Sequence, residues 1–308
     1  MKETGRTMFE NRRAVWDGLG KDVRGTGTAK EVLEQAGLDW KVEQTPIYTE
    51  DGIRVPGYKA NVRNTDQYVL GVVSDKYKVV QNQTAFAFSE ELLKYGFRYQ
   101  YAGVFQQGRK TWVLVQIPDQ YIINGERICS YLVFLNSHDA SSSFKIAITP
   151  IRMLCSNMLN LALGKARRVW SFKHSRSVET NVHDALETME RSEDYMEQLG
   201  MQIEKLSSVP MDKETLERNV SLLLPVPEQA TALQEQNVEK QRRDMLVRYY
   251  EAPDLQHVGF NAYRFINAVS DFETHSKPLR ETATYRENLF ERSLDGNRLV
   301  DKAMRLVG

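Results

Sequence analysis

Between Phe97 and Pro118 the chain reads FRYQYAGVFQQGRKTWVLVQIP, and this stretch constrains the fold more than any other. In its second half Thr111, Val113, Val115 and Ile117 fall on one side of an extended strand. Trp112, Leu114 and Gln116 fall on the other, the two-residue period of a β-strand. Gln106, Gln107 and Gly108 interrupt the pattern, and Gly108 tolerates a positive φ. The segment is therefore expected to be a long hairpin turning at Gln106 to Gly108.

The flanking sequence supplies more strands. TPIYTEDGIRVPGYKANVR reads as two short strands around a Glu50-Asp51-Gly52 turn. YVLGVV and YKVV flank a second tight turn at Ser74-Asp75-Lys76, and RICSYLVFLN and FKIAIT follow the hairpin. Helices are signalled by their ends. Thr28 is placed to cap AKEVLEQAG, with Glu31 at the capping-box position and Gly37 as the stop. The preceding WDGLGKDVRGTGT is an extended lead-in. NQTAFAFSEELLKYG predicts a helix capped by Asn82, with Phe86, Leu92 and Leu93 on its buried side and Gly96 at its end. PIRMLCSNMLNLALG predicts another, with Thr149 at the N-cap, Pro150 at the first position and Gly164 at the stop. Arg152, Ser156 and Asn160 would form one polar stripe on that otherwise apolar rod.

Past residue 178 the chain turns acidic and helical. Val182, Met189, Met196 and Ile203 recur every seventh residue, with Ala185, Ser192, Leu199 and Leu206 as a weaker partner row. Further helices are expected after Pro210, Pro227 and Gly259. The organisation read from these signals is an arm and helix over 1–37, an α+β core over 38–178, and a helical region over 179–308.

Charge is segregated along this plan. The chain holds 41 Lys and Arg against 41 Asp and Glu, a net charge of zero. Yet no acidic residue occurs from Ala140 to Val178, where Lys145, Arg152, Lys165, Arg167, Arg168, Lys173 and Arg176 all lie. With 41 % hydrophobic and 27 % charged residues, the composition is that of a protein with a core rather than a disordered chain. No run approaches the roughly 20 apolar residues of a membrane span, and MKETGRTMFENRR lacks the apolar segment of a secretory signal. Cys129 and Cys155 sit among apolar neighbours, as core residues in a reducing compartment do. Five histidines without Cys-x-x-Cys or His-Glu-x-x-His spacing give no reason to expect a metal or other cofactor. The expected setting is the cytoplasm.

Several stretches together, WDGLG, AGLDWKVEQTPIY, VPGYKANVR, LGVVSDKYKVVQNQTAFAF, YAGVFQQGRKTWVLVQIP, LVFLNSHDASSSFKIAITPIRMLCSNMLNLAL and GFNAYRFINAVSDFETH, resemble the phage/plasmid-like protein family, catalogued as a domain of unknown function. The resemblance covers nearly the whole chain in order and implies a bacterial host cell as the setting. Relatives often read Trp-His-Gly-Leu-Gly where this chain has Asp17, which removes a histidine role there. The order of elements also resembles the annealing core of Rad-type single-strand annealing proteins and of the lambda Beta and Erf recombinases. That resemblance implies a curved antiparallel sheet packed on helices, a basic groove for DNA, and protomers joined side by side in a ring or filament.

Four constellations carry candidate chemistry. In GKARRVWSFKHSRS, Arg167, Arg168, Lys173 and Arg176 offer cations for phosphates, and Trp170 and Phe172 offer rings for bases. The plainer reading puts Trp170 and Phe172 in the core and the charges against the acidic helices. Arg109 and Lys110 at the hairpin tip would grip a strand or a neighbouring subunit, or simply keep the tip soluble. In NSHDASSSFK, His138 beside Asp139 and Ser142-x-x-Lys145 hint at hydrolase or nuclease chemistry, but Ser142 leads into a strand rather than a helix. The Arg152 stripe lines a groove or satisfies loop backbone. The reading that follows is a non-enzymatic protein that binds single-stranded DNA and anneals complementary strands without ATP as a homo-oligomer. The nucleic-acid contacts would come from Arg109, Lys110, Lys145, Arg152, Lys165, Arg167, Arg168, Trp170, Lys173 and Arg176. The rivals are a non-catalytic counter-defence or regulatory protein that binds a host protein, and a hydrolase or nuclease using His138 and Asp139.

Overall fold

The computed structural model describes residues 9, 12–152, 161, 163, 168–171, 178–278, 281–296 and 298–308, without the side chains of 120 and 178–182. In chain order the elements are β1 (Gly20–Asp22), α1 (Ala29–Ala36), β2 (Val42–Tyr48), β3 (Arg54–Arg63), β4 (Val69–Ser74), α2 (Asn82–Phe86), α3 (Ser89–Leu93), β5 (Arg98–Phe105), β6 (Lys110–Ile123), β7 (Glu126–Ser137), β8 (Lys145–Arg152) and β9 (Val169–Ser171). The helical part follows with α4 (Val178–Ser207), α5 (Lys213–Leu223), α6 (Ala232–Glu251), α7 (Ala262–His275), α8 (Tyr285–Asp295) and α9 (Arg298–Val307).

The strands form two antiparallel sheets, so the fold is α+β with a helical C-terminal region. One sheet has six strands in the order β1-β5-β6-β7-β8-β9, and the other has three in the order β2-β3-β4. The hairpin expected from sequence is the β5–β6 pair, with Phe105 opposite Lys110 across its tip. The alternation of β6 is resolved as two buried faces. Val113 and Val115 join Leu132, Phe134, Ile146 and Ile148 in the main core, against the helices. Trp112 and Leu114 join Phe105, Val133, Leu135 and Ala147 in a second cluster, closed over by Val15, Trp16, Phe290 and Leu294. Helix α8 and the N-terminal segment thus cover one face of the large sheet, and the remaining helices cover the other.

Local signals behave as their chemistry dictates. The Thr28 hydroxyl accepts from the Glu31 amide, and Gly37 ends α1 in the left-handed region. Gly52 turns β2 into β3 with φ +77°. On α4, Ala185, Ser192, Leu199 and Leu206 are all buried, as are Met196 and Ile203 of the heptad row. That seam packs on the sheet, where Ser130 Oγ meets Met196 Sδ at 2.9 Å.

Three expectations are corrected. Thr149 and Pro150 do not open a helix: they lie in β8, where Pro150 stands opposite Ser130. Strand β9 pairs with Lys145–Ala147 and Ile148 N–H reaches Arg168 O at 3.0 Å, and among the described residues none lies beside Pro150 on that outer side to need a proline N–H. Ile151 and Arg152 also lie in β8, and residues 153–160, with Ser156 and Asn160, lie outside the described residues. YKVV is not a strand, although Tyr77 N–H closes the predicted turn on Ser74 O at 3.0 Å. Asn82 caps nothing, since α2 is capped by Gln81 without a side-chain bond, and the predicted helix breaks into α2 and α3.

The small sheet seats on the end of the large one. Asn61 donates to the His138 carbonyl at 2.6 Å, and a Cβ on Gly71 would lie 2.7 Å from Asp139 Cα. The outer side of the small sheet is exposed, with Tyr58 at 53 %, Val69 at 48 % and Val72 at 58 %. Among the described residues no helix is long and apolar enough to cross a membrane.

Candidate functional site

Register fixes where the candidate cations point. Lys110 and Trp112 share a face of β6, and Lys145 and Ala147 share the same face of β8 across β7. This is the face that α8 covers. Phe290 packs edge-on to Trp112 with centroids 5.1 Å apart, and to Phe105 at 5.4 Å. On the same helix Glu287, Glu291 and Asp295 recur at i, i+4 and i+8, one stripe about 6 Å per step. Each meets the sheet. Glu287 accepts from the Gln106 backbone N–H at 2.9 Å, Glu291 pairs with Lys110, and Asp295 pairs with Lys145 at 2.8 Å. Arg168 completes the clamp by donating to the Leu294 carbonyl at 2.8 Å, at the negative end of the helix dipole. An open groove of about 320 Å³ runs along α8, lined by Tyr285, Asn288, Glu291, Arg292 and Asp295.

Of the ten residues expected to touch nucleic acid, Lys110, Lys145 and Arg168 are therefore brought together, but beneath an acidic helix. Arg109 is exposed at the hairpin end. The tip itself does not protrude: Gly108, at φ +97°, lies where a Cβ would come 2.6 Å from Arg63 Nη1 and 3.5 Å from Trp40. Trp170 is buried in the main core, so its ring is not a base platform. Alternation along β9 dictates that, because Trp170 stands opposite Ile146 on the helix-covered face. Lys165, Arg167, Lys173 and Arg176 lie outside the described residues.

Arg152 sits elsewhere and is wholly buried. It pairs with Glu126 and, at 2.8 Å, with Asp254. Asp254 also holds Arg12, which reaches Asp271 at 2.9 Å, and Asp271 in turn holds Arg248 at 2.6 Å. This chain of buried ion pairs joins the N-terminal segment, β7, β8, α6 and α7. Removing one member would strand its partner's charge, a structural role rather than a ligand contact.

The histidine–aspartate candidate does not assemble. His138 is fully buried and donates from Nε2 to Asn82 Oδ1 at 2.9 Å, leaving Nδ1 without a partner. Burial pulls its pKa down to about 4, so the ring is neutral at neutral pH. Asp139 turns away. Burial opposes its ionisation, but the Ser137 hydroxyl and the Ser141 backbone N–H donate to Oδ1 at 2.6 and 3.0 Å and hold its pKa below the usual range. Ser142 Oγ is buried without a hydrogen-bond partner, while Lys145 is committed to Asp295. Among the described residues no group of three or more His, Cys, Asp or Glu is placed to hold a metal ion.

Sequence reasoning missed the other half of the site. YRENLFERSLD carries the signal, three acids and the Phe290/Leu294 pair each at four-residue spacing, but nothing local says which surface they meet. It also missed Asn82, whose Oδ1 accepts from Thr111, Asn136 and His138 together.

No curated protein and no solved structure matches the chain. A family match runs over residues 69–294, from the start of β4 to the last turn of α8, and so takes in the site apart from Asp295. The chain belongs to the family described as Domain of unknown function (DUF932).

Proposed function

We propose that this protein binds single-stranded DNA on the face of the six-stranded sheet that α8 covers, and promotes annealing of complementary strands without ATP. One observation carries the reading: two sheet lysines on one face, flanked by Phe105 and Trp112, already hold two carboxylates of one helix, Glu291 and Asp295, while Phe290 of that helix packs on the same face. A single strand presents the same chemistry, anions at intervals with flat bases beside them. Binding it needs cations for the phosphates and rings for stacking. On this reading α8 is the occupant that a strand displaces, and the open groove beside Glu291 and Asp295 is where displacement begins. Annealing then follows from lowered phosphate repulsion, and several protomers on one strand add avidity. The resemblance to phage/plasmid-like proteins and to the Rad, lambda Beta and Erf annealing class supports the same reading.

The test is a titration of a fluorescent single strand, then its complement, at several salt concentrations. Glu287→Gln/Glu291→Gln/Asp295→Asn is expected to bind at least tenfold more tightly than the unsubstituted protein. Adding Lys110→Ala and Lys145→Ala to that variant should flatten the log–log salt slope by about 1.4, roughly 0.7 per lost phosphate contact. Absence of salt-dependent binding in both the unsubstituted protein and the triple variant overturns the proposal. A second reading, a non-catalytic counter-defence or regulatory protein that binds a host protein, draws on the internal pairing of Lys110, Lys145, Arg152 and Arg168. Salt-independent capture of one bacterial protein, with no oligonucleotide binding by any variant, decides for it.

A further inference from the structure

The strands that end the two sheets are protected unequally. β1 and β9 are three residues each. β2 carries Pro46, and Gln81 satisfies both the N–H and the C=O of Val42 on its open side, at 2.9 and 2.8 Å. β4 is longer than β1 and β9, and its one irregularity is a bulge at Leu70, where the register passes from Asn61–Gly71 to Val62–Val69. Its six residues, VLGVVS, include no charge and no proline, and no described strand pairs with its outer side. Natural sheets blunt such edges because an open row of N–H and C=O groups templates further pairing.

From this edge we infer that the protein forms a two-fold dimer through β4, its occupant being a second copy of the same strand. The inference goes beyond the nucleic-acid reading and stands if that reading fails. Backbone geometry sets the register. Asp75 N–H donates to Gly57 O at 3.0 Å, so Asp75–Gly57 is a hydrogen-bonded pair of the β3–β4 ladder. Alternation along an antiparallel ladder then turns the N–H and C=O of Val72 and the N–H of Ser74 to the open side, while the Ser74 carbonyl already accepts from Tyr77 N–H at 3.0 Å. A two-fold axis at Val72 lets the two Val72 residues exchange both bonds, with Ser74 of each strand beside Leu70 of the other. Two Val72 side chains, each 58 % exposed alone, then meet on the outer face, with Tyr58 and Val69 extending the apolar surface on both sides of the axis. Charge agrees with this register. The Asp66 end of one strand, where Asp66 is exposed and pairs with Arg63 at 2.7 Å, comes alongside the exposed Lys76 and Lys78 of the other. The two three-stranded sheets become one continuous six-stranded sheet.

Sedimentation velocity over a wide concentration range is the test, without nucleic acid, so failure here leaves the DNA reading untouched. The unsubstituted protein is expected to dimerise. Val72→Lys should weaken the dimer by about tenfold or more, since it sets two ammonium groups face to face. Circular dichroism checks that this exposed substitution leaves the fold intact. Val72→Cys should form an intermolecular disulfide under mild oxidation beyond anything the unsubstituted chain shows. Opposed Cα atoms of a hydrogen-bonded pair lie about 5.5 Å apart, within disulfide range. Ser74→Cys should not, because residue 74 faces residue 70 in this register. A monomer at every concentration, or a dimer indifferent to Val72→Lys with no Val72→Cys cross-link, overturns the inference.

Discussion

One carboxamide oxygen organises the junction between the two sheets. Asn82 Oδ1 takes hydrogen bonds from Thr111 at 2.8 Å, His138 at 2.9 Å and, more weakly, Asn136 at 3.4 Å, while its Nδ2 donates to Leu38 O at 3.0 Å. All four side chains are buried. Leaving buried donors unsatisfied costs about 1–3 kcal/mol each. Asn82→Ala should therefore lower unfolding free energy by about 3 kcal/mol or more in urea denaturation, with Thr111→Val, which removes only one member, costing less. A loss under 1 kcal/mol for Asn82→Ala would mean that water replaces the amide. The sequence offers Asn82 as a helix cap because asparagine before an apolar run usually is one. Its actual role depends on strands β6 and β7, which local sequence cannot reveal.

At the level of elements, legibility follows the range of the forces. The β5–β6 hairpin, α1 with its Thr28 and Gly37 ends, and the buried rows of α4 were readable because period and capping are local. The Thr149–Pro150 pair is ambiguous in sequence because the same dipeptide suits a helix start and a strand, and pairing with β7 decides. The lysines of the candidate site were legible as charges, whereas the carboxylates that hold them come from α8, far along the chain. Phe290 tests what that helix does. It is fully buried, so Phe290→Ala should cost about 3–5 kcal/mol in thermal or chemical unfolding. If α8 yields to a strand, the same variant binds oligonucleotide more tightly than the unsubstituted protein while being less stable. A stability loss with unchanged or weaker binding would make α8 a packing element alone.

For the molecule as a whole, two buried groups pull stability against pH in opposite senses. Burial lowers His138 from 6.5 to about 4, so as pH falls through that interval the unfolded chain takes up a proton that the folded one refuses, and stability drops. Burial raises Glu273 from 4.5 to about 7, despite the backbone N–H groups of Leu299 and Val300, so stability drops as pH rises through that interval. Each slope is at most about 1.4 kcal/mol per pH unit, and between roughly pH 4.5 and 6.5 they offset. His138→Gln should make unfolding free energy decline with rising pH in this window, and Glu273→Gln should make it climb. Parallel profiles for both variants would remove the assignment. The position of α8 also carries a consequence for biosynthesis. Its Phe290 and Leu294 close the second cluster over strands that end at Arg152 and Ser171. At about 5–20 residues per second, a ribosome needs on the order of ten seconds to reach them after β8 emerges. Throughout that delay only Val15 and Trp16 are present to cover Phe105, Trp112 and Leu135, leaving part of an aromatic surface that a chaperone can hold.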